Sequence, residues 1–197
     1  MNYSGNYIFG FSEGESELML VIADSIVVAQ VHTFYWQGEI LKDSIFNFNN
    51  AKIEGSNFYC DETSGSFSSY NRPSEFHNGL LILNPWTYEF CSGGEYGSYI
   101  DELYVNGDYP EVSLTVIREQ ELQKLASKEL KLMRNEIFAR YGYMFREGGE
   151  MEAHFSSKKW YEPKCKNVDS FLTVIELLNI ELIKKVEKKQ LTPNKTH

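Results

Sequence analysis

Between Tyr109 and Glu121 the chain changes the rhythm of its apolar residues, and one layer of secondary structure cannot serve both sides of that change. Before it lie short runs rich in Val, Ile, Phe and Tyr: Asn6–Phe11, Glu17–Ile22, Ser25–Phe34, Ile40–Phe48, Phe58–Cys60, Gly65–Tyr70, Gly79–Leu83, Tyr99–Val105 and Val112–Ile117. Turn signals such as Ala23-Asp24-Ser25, Gly38-Glu39, Glu54-Gly55-Ser56, Asn78-Gly79 and Gly93-Gly94 separate them. Leu18, Leu20 and Ile22 alternate with polar or smaller neighbours, the period of a half-buried strand. Strands so close in sequence pair as antiparallel hairpins, because a parallel crossover needs about a dozen residues. The expectation is an antiparallel β meander over residues 1–117, closed into a small barrel or folded as a sandwich.

From Arg118 the spacing becomes helical, so residues 118–197 are expected to form a small all-helical domain and the whole chain an α+β protein. Glu119–Leu125 reads as a first short helix. Ser127 is placed to cap a longer one, Lys128–Tyr141, and Gly142 sits where a left-handed residue ends it. Glu150–Phe155 is a third. Thr173-Val174-Ile175-Glu176 has the spacing of a capping box and starts a last helix near Val174 that runs to about Lys189.

Charge divides the same way. Residues 1–117 carry 16 Asp and Glu against Lys42, Lys52 and Arg72, a net −13, whereas residues 118–197 carry a net +4. An acidic first domain disfavours nucleic acid, whose phosphates require clustered Lys and Arg, and suits a protein or cell-envelope component as partner. No apolar run approaches the ~18 residues of a membrane span, which leaves room for a lipid anchor upstream of Met1. No leader peptide is visible after Met1. The protein is therefore extracytoplasmic, periplasmic or on the surface, if Met1 replaces a removed leader, and cytoplasmic otherwise.

Catalytic signatures are missing: the sequence holds no HExxH, GxSxG, P-loop or GxGxxG motif. His32, His77, His154 and His197 lack the spacing of a metal site, and no cofactor is implied. Cys60, Cys91 and Cys165 include no CxxC pair; Cys60 and Cys91 either bridge in an exported protein or remain buried thiols.

The segment Arg134 to Phe145 concentrates two arginines, a glycine and four aromatic residues around one helix end. Leu130, Met133, Ile137 and Arg140 recur at spacings of three and four, so Arg140 points to the apolar side. A buried guanidinium requires partners, and Glu176 or the carbonyls around Tyr161 are the expected ones; an open site capturing an anion is the alternative. Phe138-Ala139-Arg140-Tyr141-Gly142, followed by Phe155, Trp160-Tyr161 and Glu176…Asn179-Ile180, resembles the YARHG domain. The resemblance implies an extracellular bacterial module with no assigned reaction, in which Arg140, Gly142, Trp160, Tyr161, Glu176 and Asn179 carry the motif. Tyr141 stands where the family has its usual histidine, which removes a group that titrates near neutral pH. The aromatic set reads as the core of a small module, with Trp160 as its anchor. Beside Arg146, Lys158 and Lys159 the same rings offer an alternative surface for a peptide or glycan.

Taken together, these features describe a non-enzymatic binding protein of the bacterial cell envelope. The alternatives are an inhibitor or immunity-type protein whose acidic β domain meets a basic partner, and a small-ligand carrier using a barrel mouth.

Overall fold

The structure, a computed structural model, describes residues 3–10, 15–72, 75–86, 93–100 and 103–191. The chain forms two compact units, 1–103 and 104–197.

The first unit is one antiparallel sheet. Its strands are β1 (Gly5–Phe9), β2 (Ser16–Ala23), β3 (Ile26–Gln37), β4 (Ile40–Asn47), β5 (Lys52–Glu54), β6 (Asn57–Tyr59), β7 (Ser64–Arg72), β8 (Glu75–Ile82) and β9 (Glu95–Ile100). Their order is β4-β3-β2-β1-β9-β8-β7-β6-β5, so the two chain-terminal strands of the unit, β1 and β9, pair in the middle. Among the described residues β4 and β5, the two ends of the order, do not pair with each other, so the sheet is open and the barrel alternative does not hold. It nevertheless encloses a core. Tyr7, Phe9, Leu18, Leu20, Ala29, Val31, Leu80 and Ile82 line one face, and Phe48 and Phe58, from opposite ends of the order, join them. The pairing Tyr7↔Leu18↔Val31 shows why: directly opposed residues share a face. Gly97 lies under the Phe9 ring, where a Cβ would collide with it.

One hairpin outruns its neighbour. The pairing of β2 with β3 ends at Glu17↔His32, whereas β3 and β4 stay paired from Gln30↔Asn47 out to Gln37↔Ile40. Residues 33–44 thus continue as a two-stranded ribbon. Gly38, at the first central position of its turn, has φ 66°, the geometry that favours glycine there.

The second unit contains α1 (Glu111–Leu114), α2 (Glu119–Leu122), α3 (Ser127–Arg140), α4 (Glu150–Phe155) and α5 (Val174–Leu191), with a 3-10 turn at Asp169–Phe171. The core is built by Leu130, Met133 and Ile137 of α3 with Ile175, Ile180, Ile183 and Val186 of α5. Arg134 donates to Glu187 at 3.0 Å across the same pair of helices. Glu119 of α2 receives Lys185 and Lys189 from α5, and those hydrogen bonds hold its carboxyl down to about 2.

Three expectations require correction. The units divide at Leu103, so the boundary expected between Tyr109 and Glu121 moves toward the N-terminus. Val112–Ile117 is no strand; its residues open with the helical turn α1. A strand there would need a neighbouring strand for its backbone groups, but the side chain of Asn179 takes them instead. It accepts from Ile117 N–H at 3.0 Å and donates to the carbonyls of Val112 and Thr115 at 2.8 and 2.7 Å. Ser127 does not cap α3: Ala126 occupies the cap position, and the Ser127 hydroxyl donates to Gln190.

Candidate functional site

Arg140 ends α3 on its apolar side, with 7% of its side chain exposed. All three guanidinium nitrogens find acceptors. Nε donates to the Asn106 carbonyl at 2.6 Å, Nη1 to the Ser113 hydroxyl at 2.7 Å, and Nη2 to the Tyr109 carbonyl at 2.7 Å and to Glu136 at 2.6 Å. Its acidic partner is therefore Glu136, one turn earlier on the same helix, and its carbonyls belong to the entry loop. This corrects the expectation of Glu176 or the Tyr161 region. Glu136, 1% exposed, also accepts the backbone N–H groups of Asp108 and Tyr109, each at 2.8 Å. Gly107, at φ 120°, carries the loop across that carboxylate, and a Cβ there would strike it.

Glu176 belongs to the same assembly through an intermediary. The Ser113 hydroxyl, which accepts from Arg140, donates to Glu176 Oε1 at 2.5 Å. Oε2 accepts the Tyr141 hydroxyl at 2.8 Å and the Thr173 N–H at 2.9 Å, while Thr173 Oγ1 accepts from Glu176 N–H, closing the capping box. Burial pushes the Glu176 carboxyl up from its usual range, against the pull of Ser113, Thr173, Tyr141 and Arg140. Burial likewise lowers Arg140, opposed first by Glu136 and then by Glu176. Tyr141 thus supplies a hydroxyl to a buried carboxyl group.

Gly142 has φ 70° and completes a Schellman ending: its N–H bonds the Ala139 carbonyl and the Tyr143 N–H that of Phe138. Its own carbonyl accepts the N–H groups of Lys164 and Cys165. A Cβ at this position would lie 2.6 Å from the Glu162 carbonyl oxygen. Gly142→Ala is expected to cost about 2–3 kcal/mol, the left-handed strain plus that contact. Urea denaturation followed by helical ellipticity measures it; an unchanged midpoint would contradict the reading.

The aromatic residues pack on one another. Phe145 stacks on Phe155 with centroids 5.1 Å apart, and Trp160 meets Phe155 edge-on. Phe155 is fully buried whereas Trp160 is half-buried, so the anchor expected at Trp160 is Phe155. The Tyr161 hydroxyl donates to the Tyr143 carbonyl at 2.7 Å. Of the basic trio, Lys158 is committed to Asp108 at 2.5 Å, and Arg146 and Lys159 are exposed. Cys60 and Cys165 are free thiols; Cys91, the other half of the bridge considered above, lies outside the described residues.

Beside the network lies a groove of about 550 Å3 in the second unit. Its apolar lining includes Ile117, Leu122, Leu125 and Met133, with Tyr109 among them, and Asp108, Glu111, Glu121 and Glu129 contribute carboxylates. The Tyr109 hydroxyl registers their convergence: burial raises its pKa, and Glu129, Glu136, Asp108 and Glu111 raise it further. Asp108 is paired with Lys158, and Glu121 accepts the Arg118 N–H. No hydrogen bond or ion pair engages the Glu111 or Glu129 carboxylate among the described residues. In the first unit a cleft of about 160 Å3 is lined by Tyr3, Tyr7, Phe67 and Tyr99 with serines and Asn78, below the ~300 Å3 at which ligand sites begin. No group of three His, Cys, Asp or Glu side chains fit to hold a metal occurs among the described residues. No described helix is long and apolar enough to cross a membrane.

A helical module closed around a buried arginine–glutamate network is the class this geometry defines. Residues 106–188 match the family model of the YARHG domain, so the second unit carries that domain. The match begins at Asn106, the residue whose carbonyl Arg140 holds. Comparison with curated proteins and with solved structures gave no match.

Proposed function

We propose that the protein is a non-enzymatic binding module of the bacterial cell envelope, and that its YARHG unit receives a basic, partly apolar segment of a protein partner. The observation that carries this reading is the groove between Asp108 and Met133. Its floor is apolar, and two of its carboxylates, Glu111 and Glu129, have no partner within the described molecule. A Lys or Arg side chain would satisfy them above the Tyr109 ring, while a flanking Leu or Ile side chain would cover Leu125, which is half-buried. The motif residues support the non-catalytic half of the reading. Arg140, Glu136, Glu176 and Asn179 spend their hydrogen-bonding groups on the Arg140–Glu136 pair, on the hydroxyls of Ser113 and Tyr141, or on backbone, which leaves no poised nucleophile or base among them.

An octapeptide of alternating Leu and Lys serves as probe in a calorimetric titration of the full chain. Glu111→Gln with Glu129→Gln should weaken its binding about tenfold, equivalent to ~1.4 kcal/mol, with the unfolding midpoint unchanged and the difference reduced by salt. Equal affinity for the wild type and the double variant would contradict the assignment.

A further inference from the structure

The exposed aromatic side chains of the first unit, among the described residues, gather on the β3–β4 ribbon with Ile40 and Leu41 beside them. Phe34 is 50% exposed, Tyr35 49%, Trp36 63%, Ile40 63% and Leu41 39%. Side chains directly opposed across an antiparallel pair share a face. Trp36↔Leu41, with Phe34 two residues away, therefore makes one face mainly apolar, while the other carries Tyr35 opposite Lys42 and Ile40 opposite Gln37. Beyond Thr33 and Ser44 no third strand pairs with the ribbon among the described residues.

We propose that this ribbon is a lipid-contacting tip, which enters the interfacial region of a bilayer with Trp36, Tyr35 and Ile40 leading. Three observations choose this occupant. Each face of the tip carries exposed apolar side chains, Phe34, Trp36 and Leu41 on one and Tyr35 and Ile40 on the other; a docked protein covers one face, whereas an interface entered end-on covers both. The exposed area of the Phe34–Trp36–Leu41 face is roughly 300 Å2, taking up to about 250 Å2 per aromatic side chain, far below the ~800 Å2 that each partner of a stable protein complex contributes. Pairing of the β4 edge with a second copy is discouraged by Lys42 and Asp43 at the middle of that edge. Trp and Tyr beside aliphatic residues are the composition of a membrane-water interface. The ribbon's charges, Glu39, Lys42 and Asp43, nearly cancel, whereas residues 1–117 are strongly acidic. The surface that fits is thus zwitterionic, with anionic lipid opposing approach.

The test is flotation of the full chain with phosphatidylcholine vesicles, compared with vesicles of equal parts phosphatidylcholine and phosphatidylglycerol. The wild type should float with the first, more weakly with the second at low salt, and equally with both at high salt. Trp36→Ser with Ile40→Ser should lower partition about tenfold or more without moving the thermal midpoint. The wild-type blue shift of fluorescence on binding should be absent in Trp36→Phe. Failure of the wild type to float would overturn the proposal, as would equal flotation of the double variant. A wild-type dimer that the double variant dissolves would overturn it in favour of self-association. A lowered midpoint in the double variant would overturn it by showing the side chains packed within the protein.

Discussion

Arg140→Ala should unfold the YARHG unit at urea concentrations the wild type withstands, with a loss of about 3–5 kcal/mol, the cost of stripping one partner from a buried ion pair. The substitution orphans more than a charge. Glu136 stays buried with two backbone N–H donors, and the carbonyls of Asn106 and Tyr109 lose their donor. The Ser113 hydroxyl that bridges to Glu176 loses its guanidinium. The entry loop 106–109 should therefore detach before the helices melt. Arg140→Met with Glu136→Gln removes both charges and keeps an acceptor for the loop amides, so it should lose less than Arg140→Ala alone; non-additivity of this kind marks residues of one network. Because a domain of this size commands about 5–15 kcal/mol in total, urea denaturation monitored by helical ellipticity resolves the difference readily.

Phe155→Ala should cost a comparable ~3–5 kcal/mol, from lost burial and the cavity left behind. Phe155 is fully enclosed, stacks on Phe145, takes the edge of Trp160 and meets Tyr161 at a tilt. Trp160→Ala should cost clearly less, because that indole is half-buried and solvent already occupies one side. The reversed order, with Trp160→Ala the more damaging, would return the anchor to Trp160. Thermal melting of the two variants side by side decides between them.

Strands and long helices were legible because their signals are local. Alternation in Glu17–Leu20 reports one buried face of a sheet, although it breaks at buried Val21 and exposed Ile22, and Thr173 with Glu176 reports a helix start that needs no tertiary information. Val112–Ile117 misled for the opposite reason. Its β-branched residues fit a strand in isolation, and only Asn179, more than sixty residues away, supplies the bonds that let it do otherwise. The need of Arg140 for partners followed from its helical face, but their identity did not. Glu136, at the i−4 position, lay within reach of helical spacing, yet Glu176 was expected in its place. The carbonyls of Asn106 and Tyr109 come from a loop about thirty residues upstream, which Gly107 bends over Glu136, and no periodicity encodes that approach. The open order of the sheet was equally hidden, since hairpin spacing fixes which strands are neighbours and leaves open whether the first edge meets the last.

The central claim is that the motif is scaffold and that the groove beside it is the binding surface. Titration of the isotopically labelled protein with the Leu-Lys octapeptide, observed through its backbone amide resonances, tests this most directly. The shifts should concentrate at Glu111, Ile117, Leu122, Leu125 and Glu129, with Arg140, Tyr141 and Glu176 nearly still. Shifts centred on Arg146, Lys159 and Trp160, or confined to the β unit, would contradict it.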